Sequence, residues 1–387
     1  MSTTGPCRFG VACAVAGCVW LGDHALAGGP LTNGTAARPQ SMQNAFVAIA
    51  DDASAVYYNP AGISLVARPV VMFNALAVRP SINYRSSSGE ESASTGLAVG
   101  GSAFGMMPLS RRWSLGVGIF APAARETEFD ASDQARPQSS KILRLDLAPV
   151  LTYSWGALSV GGGPVFSHGI YESSVFGFDE KGRGYGQSFQ LGVLFRRERL
   201  SYGVVYRSAL VVHLRGEGEV APLGRGSFRA RQRYPDVLVG GVAYKVGPGD
   251  HLTLAAEIEL QRWSRVNGFQ RQYDSPQLSS LGDSSFTSRD SFVFRLGGAY
   301  RLHHGQELRA GYSFNQAAVP AQDIIPSQPD FDISSVSIGY GAVVGRWRTD
   351  IGLEHQRMGG RERSSPPFAG SYRMKTTSVF LGLTYAF

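Results

Sequence analysis

The stretch DSFVFRLGGAY (Asp290–Tyr300) sets Phe292, Phe294, Leu296 and Tyr300 on one parity, and Ser291, Arg295 and Gly297 on the other. A period of two with one apolar face marks a β-strand that lays one side against something greasy. HLTLAAEIELQ (His251–Gln261) repeats the pattern, with Leu252, Leu254, Ile258 and Leu260 opposing Thr253, Glu257, Glu259 and Gln261. In RWRTDIGLEHQ (Arg346–Gln356), Trp347, Ile351 and Leu353 oppose Arg348, Asp350, Glu354 and Gln356. In a soluble sandwich the greasy face would form the core; in a membrane barrel it meets lipid and the polar face lines a lumen. Alternation alone does not separate the two.

Connection lengths do. Alternating segments fall at roughly 69–80, 95–107, 112–122, 141–154, 157–170, 184–196, 200–214, 229–245, 250–263, 290–302, 306–316, 332–344, 346–358 and 372–386, fourteen in all. Short linkers (108–111, around Gly156, 197–199, 247–249, 303–305 and Gly345) alternate with long ones (81–94, 123–140, 171–183, 215–228, 264–289, 317–331 and 359–371). An even strand count with short periplasmic turns and long outer loops is the signature of a transmembrane barrel, and a Greek-key sandwich has no reason to produce it. The expected fold is all-β: a 14-stranded antiparallel transmembrane β-barrel over 67–387. Trp113, Trp155, Trp263 and Trp347 fall at expected strand ends, where interfacial girdles belong, although Trp263 has the wrong parity without a preceding bulge.

Composition agrees. Of 387 residues 43% are apolar and only 17% charged, against roughly 25% charged in soluble domains. Gly, at 48, is well above its usual share of about 7%, as extended structure with many turns requires. Arg8, the apolar run Phe9–Gly22 and Ala25-Leu26-Ala27 read as a signal peptide over 1–27, with a lipobox-like Val15-Ala16-Gly17-Cys18 as the rival processing site. Cys7, Cys13 and Cys18 all fall in that segment, so the exported chain would carry no disulfide, catalytic thiol or Cys-bound metal. Beyond it no apolar run reaches the ~18–20 residues of a spanning helix. The net charge of +7 on an exported chain points to phosphorylated lipid headgroups rather than nucleic acid.

Residues 28–66 do not alternate, and fourteen strands enclose a lumen wide enough to leak unless filled. This segment is therefore expected to fold back inside as a plug. GTAARPQSMQNAFVAIADDASAVYYNPAGISLV (Gly34–Val66) resembles the N-terminal hatch of the FadL/TodX family of outer-membrane transporters of hydrophobic compounds. The likeness is sharpest at Ala50-Asp51-Asp52-Ala53 and at Asn59-Pro60-Ala61-Gly62, and the terminal strand SVFLGLTYAF looks like the signal read by the barrel-assembly machinery. Taken alone, Asn59–Gly62 reads as an ordinary turn. Asn59 can satisfy backbone groups and Pro60 fixes its φ, while Asp51 and Asp52 can cap a short helix or pair with luminal arginines.

The resemblance implies passive uptake of a hydrophobic small molecule, such as a long-chain fatty acid or an aromatic hydrocarbon. It also implies an apolar pocket, a hatch that controls passage, lateral exit at the third strand, no cofactor, and residence in a Gram-negative outer membrane. In RRWSLGVGIFAPAAR (Arg111–Arg125), Gly116, Gly118 and Pro122 are the candidates for that opening, with Pro149 and Pro164 a second weakened spot. On the luminal parity Arg144, Arg207, Arg295 and Arg309, with Arg348, either fill a salt-bridge network with Glu257, Glu259, Asp350 and Glu354 or meet a substrate carboxylate. Arg225, Arg229, Arg231 and Arg233 lie near the expected outer rim, where they face lipopolysaccharide phosphates or simply solvent. Phe166, Phe176, Phe178 and Phe269 are candidate greasy contacts near the outer end. His303-His304 lacks an acidic ligand at useful spacing, and Ser167-His168 points to opposite faces of a strand, so neither a metal site nor a hydrolase is expected. A monomer is the expected state. A general diffusion porin or an adhesive surface protein is the alternative.

Overall fold

The computed structural model describes residues 34–86, 89–93, 97–129, 138–175, 177–220, 223–266, 269–278, 287–324, 330–364 and 369–387. The segment 1–27 and Phe176 lie outside the described residues. The chain forms fourteen antiparallel staves: β1 (Val70–Ser86), β2 (Gly89–Ala93 and Ala98–Pro108), β3 (Trp113–Phe129), β4 (Gln138–Trp155), β5 (Leu158–Val175), β6 (Phe178–Arg197) and β7 (Leu200–Arg207 and Leu210–Val220) complete the first half. They are followed by β8 (Gly224–Tyr234 and Val237–Val246), β9 (Leu252–Gln261, continued by Gln270–Tyr273), β10 (Ser291–Arg301), β11 (Gln306–Asn315), β12 (Ile333–Val344), β13 (Trp347–Met358 and Arg361–Arg363) and β14 (Gly370–Ala386). The barrel closes where β14 pairs with β1, from Val70 opposite Ala386 to Ser86 opposite Gly370.

The protein is inside out, as alternation requires. On β10, Phe292, Phe294, Leu296 and Tyr300 are exposed on the outer wall, whereas Ser291 and Arg295 are buried inside. Leu353 and Ile351 on β13 face out while Glu354 and Asp350 are buried. Such an exposed apolar belt is stable only against hydrocarbon. At the short-turn end Trp113 packs at a tilt against Tyr153 and Trp347 against Tyr385, the start of an interfacial girdle. The turn Gly345–Arg346 between β12 and β13 is tight enough to need φ +61° at Gly345.

Two expectations fail at the outer end. The long linkers 123–140, 171–183 and 215–228 are mostly strand; β5 and β6, for instance, continue to Val175 and from Phe178. Above the membrane the outward face turns polar, as at His213, Arg215 and Arg229, so the outward apolar row that marks a strand lower down stops although the ladder continues. Trp263 does not join the girdle. It sits in a 3₁₀ turn (Trp263–Arg265), fully buried inside the barrel, with Nε1 donating to Gln261 Oε1 at 2.8 Å.

Candidate functional site

Residues 34–66 lie within the lower, short-turn half of the lumen as two single-turn helices, α1 (Ala37–Gln40) and α2 (Ala55–Tyr58), and a 3₁₀ turn (Pro60–Leu65). A segment this irregular leaves backbone groups unpaired, and the wall supplies partners. Glu257 Oε2 accepts from the amides of Phe46 and Val47 at 3.1 and 3.0 Å. Gln190 Nε2 donates to the Val56 carbonyl and Arg207 Nη2 to that of Tyr57. Ser201 holds the Ala48 carbonyl, and Thr152 that of Pro60. At roughly 0.5–1.5 kcal/mol net per bond, the set contributes several kcal/mol to seating the plug.

Glycine makes this approach feasible. A Cβ on inward-facing Gly203, Gly311 or Gly192 would lie 2.1 Å from Val47 O, 2.3 Å from Met42 C and 2.2 Å from Asn59 Oδ1. Part of the glycine excess is therefore a collar that lets plug backbone touch wall backbone. Within the plug, Asn59 is completely buried: its Nδ2 donates to Val47 O (2.8 Å) and to Val193 O on β6 (3.1 Å), and its Oδ1 accepts from Ala61 N. Pro60 follows at the start of the 3₁₀ turn, and Gly62 packs against the Ala50 carbonyl with no room for a side chain. Asp51 and Asp52 both pair with Arg38 of the plug itself, and Asp52 Oδ1 accepts from Ser54 N. Arg38 in turn reaches Glu307 on β11 at 3.3 Å.

The outer half is closed differently. The β9–β10 connection sends Trp263, Val266 and Phe269 inward, and the β11–β12 connection sends Ala318, Val319, Ile324 and Phe331. These meet Tyr171, Leu210, Val212, Leu214 and Phe228 of the wall in a second apolar core. Sequence reasoning missed this cap, because its apolar residues are spaced irregularly within linkers. Phe269 lies in it, Phe178 packs in a separate small cluster with Val220 and Leu278, and Phe166 is exposed on the lipid face.

A cavity of about 770 Å³ lies between the plug and the surrounding wall, within the ~300–1,000 Å³ usual for small-molecule sites. Its floor includes Tyr57 and Tyr58, and its walls include Leu76, Val78, Phe120, Ile142, Val165 and Val293. Tyr57 packs edge-on against Phe120, which stacks on Phe104. Three of the four candidate arginines are already neutralised: Arg144 by Asp146 at 3.1 Å, Arg295 by Glu257 and Glu259 at 2.8 and 2.9 Å, and Arg309 by Asp350 at 2.6 Å. Arg309 shares its site with Arg348 and Glu307 and does not line the cavity. Arg207 differs. It makes no ion pair among the described residues, lies over the Tyr57 ring at 4.5 Å and borders the cavity.

The wall beside the cavity is incomplete. Between β2 and β3 the ladder runs from Pro108 opposite Ser114 to Ala103 opposite Ile119, and no described pair lies above it. On β2, Ala98–Ser102 still pair with β1, so only the β3 side is open. Leu97, Val99 and Gly100 on one side, and Phe120, Pro122 and Ala124 on the other, border the cavity there. On its far side β3 slips register against β4 between Phe120 and Ala123, around Pro122, which lacks a donor. Gly116 and Gly118 lie below the break, in an intact ladder, where added Cβ atoms would meet Val56 of the plug at 2.8 and 3.0 Å. Their small size serves plug packing. The ladder between β4 and β5 also skips the directly opposed Pro149 and Pro164, but the strands stay in close contact, with Gly163 against the Pro149 carbonyl.

A lipid-facing barrel with a filled lumen and an internal cavity belongs to the class of outer-membrane channels for hydrophobic compounds. More narrowly, the chain belongs to the FadL/TodX family: the family described as outer membrane protein transport protein (OMPP1/FadL/TodX) matches residues 21–174 and 178–357. Its members are outer-membrane transport channels, not enzymes, which places this chain in the outer membrane. A putative outer membrane protein of Neisseria meningitidis serogroup B is 24% identical over 90% of this chain and 92% of its own length. A Pseudomonas aeruginosa FadL homologue superposes with a TM-score of 0.79 at 15% identity, over 93% of this chain and all of the other. The P. putida toluene transporter TodX gives 0.74 at 18% identity, over 92% and 99%.

Proposed function

We propose that the protein carries amphipathic hydrophobic molecules, chiefly long-chain monocarboxylic acids, from the outer surface into the cavity and out sideways between β2 and β3. The single observation that carries the exit is the ladder that stops at Ala103 and Ile119 beside the cavity. An apolar molecule leaving there passes directly into hydrocarbon and never crosses water, so no energy source is needed. The plug then acts as a hatch that closes the periplasmic end. A polar-solute porin fits poorly, since plug and cap both obstruct the axis.

The acid headgroup is assigned to Arg207, whose planar fork suits a carboxylate. Binding there would compete with the bond to the Tyr57 carbonyl and so loosen the hatch. The aromatic floor also accommodates a ring, which makes aromatic hydrocarbons the second substrate class. Two experiments separate these points. A Gly100→Cys/Pro122→Cys pair, which bridges the seam by continuing its register, should abolish uptake when oxidised and restore it on reduction; unchanged uptake in the oxidised protein would sink the lateral route. Arg207→Gln should slow uptake of a fatty acid about tenfold and leave that of toluene unaltered. An equal loss for both would remove the carboxylate role.

A further inference from the structure

The outer wall above the lipid belt carries an arrangement that transport does not explain. On three neighbouring staves Arg183 (β6), Arg215 (β7) and Arg229 (β8) stand directly opposite one another. The next row toward the membrane sets Tyr185 opposite His213 and His213 opposite Arg231, and Arg233 lies two residues further along β8. Arg183, Arg215, Arg229 and Arg231 are exposed on the outside of the barrel, and Arg233 is half-buried.

Like charges directly opposite on adjacent strands, roughly 5 Å apart, destabilise a sheet. A sequence can relieve this with a carboxylate, and two rows further out it does so. There Arg225 pairs with Glu219 at 2.8 Å and approaches Glu217 at 3.8 Å. The other five arginines make no ion pair among the described residues. The row is thus uncompensated by the protein, although carboxylates stand only two positions away along the same strand.

Its position identifies what compensates it. Below the arginines, the same outward parity of β6 runs through Tyr185 to Phe189, Leu191, Val193 and Phe195, all exposed apolar residues of the lipid belt. A ligand that reaches the row therefore has its remaining surface against hydrocarbon. Soluble acidic proteins would have to sink into the membrane to do the same. Arg forks bind phosphate bidentately, and several on one flat face can share two phosphates of one molecule.

We propose that Arg183, Arg215, Arg229, Arg231 and Arg233 form a binding site for the phosphate groups of an outer-leaflet glycolipid, whose acyl chains lie along β6–β8. Arg225, which the sequence groups with them, belongs to the separately neutralised row above. The site is independent of the route through the lumen.

The test uses the full barrel in nanodiscs, with bis-phosphorylated lipid A and its enzymatically dephosphorylated form as probes, read by native mass spectrometry and by affinity. Arg183→Gln/Arg215→Gln/Arg229→Gln should bind the phosphorylated probe at least tenfold more weakly than the parent, and the parent should prefer it over the dephosphorylated probe by a similar factor. In nanodiscs without lipid A the variant should unfold at no lower temperature than the parent, because repulsion is relieved; a lower temperature would show the row to be structural and overturn the proposal. Equal affinity of parent and variant, or of the two probes for the parent, overturns the proposal. Competition by millimolar inorganic phosphate overturns the lipid assignment in favour of a free-anion site. A variant that folds only with lipid A present would also count against it, since the arginines would then be structural.

Discussion

The two closures of the lumen are built from opposite materials. The plug is seated by polar side chains of the wall that reach its backbone, with glycines below to bring the surfaces together. The cap is seated by aromatic and aliphatic side chains that it contributes itself, with Trp263, Phe269, Ile324 and Phe331 in one apolar core. Hydrogen bonds are directional and fix a single position, whereas apolar packing tolerates rearrangement if volume is conserved. The plug is thus suited to two discrete states, seated or released. The cap is suited to yielding gradually to a greasy molecule that offers equivalent contacts.

That contrast breaks most visibly at Glu257. It binds two plug amides and shares Arg295 with Glu259, so Glu257→Ala leaves two buried plug donors without partners and Arg295 with Glu259 alone. Each buried donor left unsatisfied costs about 1–3 kcal/mol, and both of these belong to the plug. Ion conductance in planar bilayers should rise well above that of the parent, with the cap still resisting protease from the outer side. A silent channel would show that Glu257 does not hold the plug.

Asn59→Ala is the next step down. It deletes one acceptor and two donor contacts and takes the side-chain partner from the buried Val47 carbonyl and Ala61 amide, at about 1–3 kcal/mol. Brief, intermittent channel openings are expected rather than a permanently open pore, at unchanged barrel melting. Parent-like silence would reduce the Asn-Pro-Ala-Gly segment to a turn.

How much of this the sequence carried follows from the same contrast. Strand number and parity were legible because lipid imposes one unbroken apolar face on each stave, as at Phe292, Phe294 and Leu296. The fill of the lower lumen was suggested by a segment that breaks the alternation. Which arginine has no ion pair among the described residues was not legible: Arg144, Arg207, Arg295 and Arg309 share a parity, and only the tertiary pairing of the last two with Glu257, Glu259 and Asp350 separates them from Arg207. The cap was invisible because Val319, Ile324 and Phe331 follow no period, and a linker folded inward looks in sequence like a linker folded out. The resemblance put the candidate exit on the third strand, at Gly116, Gly118 and Pro122, and of these Pro122 sits at the register slip against β4. The ladder break lies a few residues on from the glycines, where pairing partners rather than residue type decide it.

The smallest effect sharpens the comparison at a buried polar anchor of the cap. Asp330 Oδ2 accepts from the amides of Ala318 and Val319, both at 2.8 Å. Burial pushes its carboxyl up from 3.8 to about 6, with the two amides and the guanidinium groups of Arg125 and Arg361 pulling the other way. A carboxyl whose folded pKa is raised holds more proton in the folded state. Its contribution to stability is therefore full below about 4 and lost as pH rises through about 6. Hydrogen-exchange protection at Ala318 and Val319, corrected for intrinsic rates, should be higher at pH 5 than at pH 7.5. Asp330→Asn should flatten that dependence, since an amide does not titrate. The amide of Ala61, held by the neutral Asn59, should keep the same protection throughout. Were both closures to loosen together as pH rises, they would be one cooperative unit, and the distinction between a latched plug and a yielding cap would fail.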